Sequence, residues 1–261
     1  MIKRIFRSKS DIENLSRLRT AVPHSKDAFN YRGIIVNKPW GYEYLMYENP
    51  EVAVWVLFLK YNHATSMHCH PNKKTSLMVL SGRVLVSTLE GWFEFGKCEG
   101  ISIEEAVFHR TKTISRGGAF IMEIESPPNK KDLIRLKDEY GRENQEYEGQ
   151  SKMTNKTKQY RYVHFHKEPL KKKDRKLIGD CNLTLISFER GLDIDQQLKT
   201  ESAHLVGILK GGLVDDRGEI LLSCGEIALL SEIQSRPKIL ARDDIIYLTI
   251  SHHDRKTQKI K

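Results

Sequence analysis

Two stretches of this chain repeat one spacing 129 residues apart, and that repeat limits the fold more than any other feature. The first runs Asn62, five residues, His68, one, His70, four, Thr75, six, Gly82. The second runs Gly191, five residues, Gln197, one, Lys199, four, His204, six, Gly211. Further on, Cys98 to His109 parallels Gly225 to Arg236 at an offset of 127. A fixed internal period marks a duplicated unit. In each copy short apolar runs alternate with Gly-rich or polar turns: 52–60, 76–80, 83–89 and 119–125, then 183–188, 205–209, 220–222 and 245–250. Such spacing without long helices between the runs predicts a sandwich or barrel. The expected fold is all-β, two tandem barrels with short helices at the N-terminus and in the connector.

The first copy carries three histidines that can meet. Alternate residues of a strand face one side, so His68 and His70 project together while Cys69 points away. His109 ends a strand and tight bend over 100–109, which lets it return to the pair. Neutral imidazoles suit a divalent cation, and three of them leave positions open for water or substrate. The second copy keeps the strand pattern without this cluster. If the barrels superpose, Lys199 and Arg236 converge where the first copy puts its cation, a fixed charge able to clamp a phosphate or carboxylate. The competing reading is an inert barrel with those side chains directed outward.

Pro127-Pro128 breaks the last strand of the first copy. The layout expected is an N-terminal segment 1–37, a metal-binding barrel 38–127, a connector 128–160, a degenerate barrel 161–253 and a basic tail 254–261. A short helix is expected over 131–139, and 144–159, with almost no apolar residue, reads as a linker. Ile12, Leu15 and Leu18 predict an amphipathic helix over 12–22. Trp40, Trp55 and Trp92 are assigned to barrel packing. His164 and His166 are assigned to a strand surface, His63 to a cap or turn with a place behind the metal ligands as its alternative, and His252-His253 to an exposed border.

The formal charge of +9 gathers at 171–176 and 255–261. Those runs lack the interleaved aromatics of a nucleic-acid module, so solvated loops and no nucleic-acid partner are expected. No apolar stretch approaches the length that spans a bilayer, and the basic start lacks an apolar h-region. No membrane association and a cytoplasmic location follow as expectations. Cys69, Cys98, Cys181 and Cys224 show no CxxC spacing and read as reduced thiols.

These residues resemble the cupins, double-stranded β-barrel proteins of the jelly-roll type. The family's first motif is Gly, five residues, HxH, three or four residues, Glu, six residues, Gly. His68, His70 and Gly82 stand at those places, with Asn62 for the Gly and Thr75 for the Glu. His109 stands at the last metal-binding histidine of the second motif, where Cys98, Glu104 and Ala106 replace the usual Gly, Pro and Gly. The duplication resembles a bicupin whose C-terminal barrel has lost its ligands. Residues 38–142 are also similar to the isomerase domain of type II mannose-6-phosphate isomerases, often fused to a mannose-1-phosphate guanylyltransferase. That similarity rests on Lys38-Pro-Trp-Gly-Tyr42, the histidine motif, His109-Arg110, the strand holding Glu123, and the run 132–142 ending in Tyr-Gly-Arg142. No Gly-rich nucleotide loop of a guanylyltransferase is present.

The resemblance implies an enzyme acting on an anionic sugar, phosphorylated or nucleotide-linked, most simply an isomerase or epimerase of bacterial surface-polysaccharide synthesis. His68, His70 and His109 would hold a divalent metal: zinc, iron, nickel, copper or manganese stay open. Thr75 would ligate weakly or touch a bound water. Lys73 is placed to meet a phosphate or enediolate, and Glu123 and Glu125 are candidate bases if their face of the strand is inward. Two alternatives stand beside this: a three-histidine ferrous oxygenase, and a non-catalytic sugar- or metabolite-binding protein. A homodimer is expected from edge pairing of jelly-roll sheets.

Overall fold

A computed structural model describes residues 1–18, 29–143, 147–166, 173–190 and 192–253. Gly191, positions 19–22 of the expected helix, 144–146 of the expected linker, 171–172 of the basic run and the tail 254–261 lie outside them.

In the first half the strands are β1 (Ile2–Ile5), β2 (Ile35–Lys38), β3 (Gly41–Glu48), β4 (Ala53–Leu59), β5 (Met67–Cys69), β6 (Lys74–Ser81) and β7 (Val84–Thr88). They continue with β8 (Trp92–Phe95), β9 (Gly100–Ile103), β10 (His109–Thr113), β11 (Ala119–Ser126), β12 (Ile134–Lys137) and β13 (Met153–Thr154). The second half holds β14 (Lys173–Ile178), β15 (Cys181–Phe188), β16 (Leu205–Lys210), β17 (Gly212–Val214), β18 (Ile220–Ser223), β19 (Ile227–Leu229), β20 (Leu240–Ala241) and β21 (Ile245–His252). The α-helices are short: α1 (Lys9–Leu18), α2 (Ile194–Thr200) and α3 (Leu230–Gln234).

Strands β9-β6-β11-β4 lie side by side in one sheet, faced by β5-β10-β7-β8 in a second. Eight consecutive strands dealt between two sheets in that order form a jelly roll. Strands β3, β2 and β13 widen the larger sheet at one edge, β1 at the other, and β12 joins β5. The sheets therefore draw strands from outside 38–127. The second half repeats the arrangement in chain order: β19-β16-β21-β15-β14 matches β9-β6-β11-β4-β3, and β20-β17-β18 matches β10-β7-β8. Among the described residues, β5 alone of β3 to β11 has no strand counterpart, and α2 stands at its place in the chain.

The turns explain the repeated spacing. Gly82 and Gly211 end β6 and β16 at φ 79° and 70°. Asn62, Cys98 and Ala106, which replace glycines of the resembled motifs, hold φ of 59°, 58° and 61°. These left-handed turns form without glycine, at about 1–2 kcal/mol of strain for a residue with a Cβ.

The larger sheet of the first barrel is buried on both faces. Trp55, Leu57 and Ile121 point into that barrel. Val54, Val56, Met122 and Ile124 point the other way, onto Leu183, Leu185, Leu205, Leu248 and Ile250 of the second half. The two barrels are thus packed back to back. The second interior is filled by Ile194 and Leu198 of α2 and Leu230 and Ile233 of α3, against Ile208 and Tyr247.

Several local expectations fail for physical reasons. The 131–139 stretch forms β12, not a helix. Its residues alternate, with Ile134 and Leu136 in an apolar cluster with Cys69 and Phe108 and Arg135 lining the barrel interior. The free edge of β5 supplies its backbone partners. The 144–159 stretch is part of the first barrel: β13 pairs with β2, and Tyr147 and Glu148 reach the interior. Leu15 and Leu18 pack on the cluster under α1, but Ile12 is exposed. Trp40 and Trp55 are core residues, whereas Trp92 on edge strand β8 is 65% exposed. His164 and His166 lie on irregular backbone, flanking buried Phe165. His252 ends β21 half-buried, its ring 4.0 Å from that of His204, and His253 is half-buried too. No helix among the described residues is long and apolar enough to cross a membrane.

Candidate metal centre

His68 on β5 sits directly opposite His109 on β10. Cross-strand partners share a face, so the alternation that groups His70 with His68 gathers all three rings inside the first barrel. Ring centroids lie 4.4 Å apart for His68–His109, 4.9 Å for His68–His70 and 5.4 Å for His70–His109. One nitrogen from each falls within 4.8 Å of the other two.

Each Nδ1 meets a backbone carbonyl: Ser66 for His68 at 2.9 Å, Asp132 for His70 at 2.6 Å, and Val107 for His109 at 3.0 Å. A carbonyl only accepts, so each Nδ1 carries the proton and each Nε2 keeps its lone pair. The Nε2 atoms of His70 and His109 are buried with no hydrogen-bond partner among the described residues. Burial holds His68 and His70 well below the ordinary imidazole range and lowers His109 to about 4. Orphaned acceptors on neutral, pre-oriented rings fit a divalent cation, which supplies what the protein does not. The His70 anchor is itself anchored, since the Asp132 carboxylate accepts from the Asn72 backbone N–H and side-chain amide, both at 2.9 Å.

Glu123 and Glu125 face inward, on the side of β11 that carries Ile121, and both are buried. Lys73 donates to Glu125 Oε1 at 2.8 Å and to the Asn129 carbonyl at 3.1 Å. Lys130 reaches the same oxygen at 3.2 Å, with Glu43 at 3.5 Å and Glu123 at 3.8 Å, and stands 3.9 Å over the Trp55 ring. Burial opposes ionisation of Glu125, but Lys130 and Lys73 outweigh it and hold the carboxyl below its ordinary value. At Glu123 burial wins, assisted by Glu125 and Glu43, and the carboxyl rises to about 7. Ligand atoms of His70, Glu123 and Glu125 also fall within 4.8 Å of one another. Thr75, on the β6 face shared with Leu77, is buried with no partner for its hydroxyl.

The cavity these groups enclose measures about 60 Å³. Five of its side chains are cationic and four are carboxylates. Several were not anticipated. Lys38 pairs with Glu43 at 3.3 Å and with Glu148, and Arg142 bridges Glu148 at 2.5 Å and Asp138 at 2.7 Å. The Tyr147 hydroxyl donates to Glu43. Two signals were available: Lys38 and Arg142 stand in the Lys38-Pro-Trp-Gly-Tyr42 and Tyr-Gly-Arg142 stretches, and Glu43 is a charge inside an otherwise apolar strand, Tyr42-Glu-Tyr-Leu-Met-Tyr47.

Other expected residues fall elsewhere. Lys199 lies on α2, paired with Asp195 at 3.0 Å and bonded to the Pro237 carbonyl at 3.0 Å, and Arg236 is exposed beyond α3. They form no interior anion site, because the helix turns Leu198, between Gln197 and Lys199, into the second barrel instead. His63 bonds the Tyr61 carbonyl at 2.9 Å in a turn.

No protein-family model matches the sequence, and no curated protein matches it. Solved structures do. A sugar phosphate isomerase of the cupin superfamily from Silicibacter pomeroyi aligns with a TM-score of 0.32 and 10% identity, over 39% of this chain and 68% of that one. KdgF from Halomonas sp. aligns with a TM-score of 0.32 and 10% identity, over 41% and 90%. The capsular polysaccharide assembling protein CapF from Staphylococcus aureus gives 0.35 and 16%, over 40% and 34%. The match thus spans about a third of CapF, and half of a structure from Acidithiobacillus ferrooxidans. By its own strand order the chain is an all-β protein of jelly-roll architecture.

Proposed function

We propose that this chain is a metal-binding bicupin of carbohydrate metabolism whose first barrel isomerises or epimerises an anionic, phosphorylated or nucleotide-linked sugar. The observation that carries the reading is the meeting, in one buried cavity, of three anchored imidazoles, two of them with unpartnered buried Nε2 atoms, and two inward carboxylates. His68, His70 and His109 would hold a divalent cation, which when bound polarises the carbonyl and adjacent hydroxyl oxygens of a sugar. Glu123, ionisable near neutrality and paired with Lys130 only at 3.8 Å, takes the proton from one carbon and returns it to the next. Lys73 and Lys130 keep Glu125 ionised beside it. The excess of cations over carboxylates favours an anionic substrate. A cavity of about 60 Å³ is far below the ~300 Å³ of a site that encloses a whole ligand, so it suits the reacting end of an open-chain sugar.

The duplicated strand order supports the bicupin reading, with boundaries moved outward to include β1, β12 and β13 in the first barrel. The ferrous oxygenase reading drew on the lack of a carboxylate at Thr75, and the two glutamates of β11 in the same cavity weigh against it. The test is a panel of sugar phosphates and nucleotide sugars incubated in deuterated water with the metal-loaded protein. Deuterium entering next to the carbonyl of one substrate, lost in Glu123→Gln, supports the reading. No exchange with any member, together with oxygen uptake on iron loading, refutes it.

A further inference from the structure

We propose that Glu125 supplies a fourth protein ligand, through Oε2, to the cation that His68, His70 and His109 would hold. The inference rests on the metal-centre reading above and deepens it. Three neutral imidazoles leave a dication's whole charge in a cavity that already holds more ammonium and guanidinium groups than carboxylates, and an anionic ligand relieves that. Glu125 is buried and its two oxygens are unequal. Oε1 accepts from Lys73 at 2.8 Å and Lys130 at 3.2 Å, while Oε2 is buried with no partner among the described residues. An ionised oxygen left alone in the interior is costly, and a cation is the partner its surroundings otherwise lack.

His70 is common to two groups whose ligand atoms lie within 4.8 Å of one another, one with His68 and His109 and one with Glu123 and Glu125. The Glu125 carboxylate therefore stands beside one corner of the imidazole group and would join it by a side-chain rotation toward the other two histidines. Of the two glutamates, Glu125 is the one clamped by two ammoniums, which fixes its carboxylate as a ligand requires. Glu123 has Lys130 no nearer than 3.8 Å. Across the β6–β11 ladder the residue directly opposite Glu125 is Thr75, on the same face and without charge. Opposed Cβ atoms stand about 5 Å apart, so a carboxylate on either strand serves the same point in space. In this chain it stands on β11.

The test uses the full chain stripped of metal and titrated with Co²⁺ against a chromophoric chelator, with the visible spectrum recorded. Glu125→Gln should bind Co²⁺ at least 10- to 100-fold more weakly, the scale of losing a group that tunes a metal site, and its cobalt bands should shift. Thr75→Glu in the Glu125→Gln background should recover most of that affinity by offering the carboxylate from the opposite strand. A crystal structure of the Co²⁺-loaded wild type gives a reading independent of any variant's folding. An Oε2–metal distance of about 2.1 Å supports the assignment, and water in that position overturns it. Wild-type affinity and spectrum in Glu125→Gln would also overturn it while leaving the three-histidine centre standing. Failure of the wild type to bind Co²⁺ at all overturns both.

Discussion

Replacing Asp132 with alanine should separate the orientation of the centre from its donors. The side chain touches no imidazole, yet it accepts two hydrogen bonds from Asn72, and its own carbonyl orients His70 at 2.6 Å. The residue is 1% exposed. Two hydrogen bonds to a buried carboxylate contribute about 1.5–3 kcal/mol each, and removing the buried charge returns part of that. A net loss of about 2–4 kcal/mol follows, or a melting temperature lower by roughly 5–15 °C for a chain of this size. The loop that presents the carbonyl then loses its tie to the turn after β5, so His70 is no longer held in one orientation. Co²⁺ affinity should fall by about 10- to 100-fold, as when a partner behind a ligand is removed. Calorimetry and chelator competition on the same sample provide both numbers. A variant that melts early but binds Co²⁺ like the wild type would refute the claim that this carbonyl aims the ring.

Alanine at His68, His70 or His109 should abolish stoichiometric Co²⁺ binding and remove the thermal stabilisation that saturating metal gives, about 2.7 kcal/mol at 100 times Kd. Gly41→Ala should abolish soluble protein or cost more than about 3 kcal/mol: at φ 152° its Cβ would fall on the Phe58 carbonyl oxygen, in the turn that sets Lys38 and Trp40. Leu198→Ala should cost about 2–5 kcal/mol by urea unfolding, since it empties the plug of the second barrel. Glu43 has its folded carboxyl held below 4.5, where Lys130 and Lys38 outweigh burial. Its contribution is therefore complete above pH 4.5 and is lost as pH falls through the folded value. Glu43→Gln should melt below the wild type at pH 6 and approach it under strong acid, and parallel curves across that range would contradict this.

The parts of the fold legible from the chain were those with local signatures. Repeated spacing marks repeated turns, and β6 and β16 do end at left-handed glycines. His68 lies on β5 and His70 just past its end, where the strand's period of two still places both rings, and the bend before His109 was visible from its neighbours. The orientation of Glu123 and Glu125 was not legible, because β11 packs against apolar neighbours on both sides. In Ala119-Phe-Ile-Met-Glu-Ile-Glu125 alternation cannot tell which face is interior. The residues around Tyr147 and Glu148 looked like a linker because ion pairs to Lys38 and Arg142, with only Tyr147 and Met153 packed on the apolar cluster, hold them in place. The Lys199–Arg236 reading assumed that equal spacing means equal structure, and a helix replaced the strand.

Because β11 is gripped from behind by β15, β16 and β21, the floor beneath the two glutamates is laid by the half of the chain that carries no metal-ligand triad among its described residues. Cutting the protein near residue 160 would lay bare a greasy slab of Val54, Val56, Met122 and Ile124 and let that floor buckle. The plugged barrel is then a buttress, and damage to its packing should be felt as slackness some strands away, where the carboxylates are aimed.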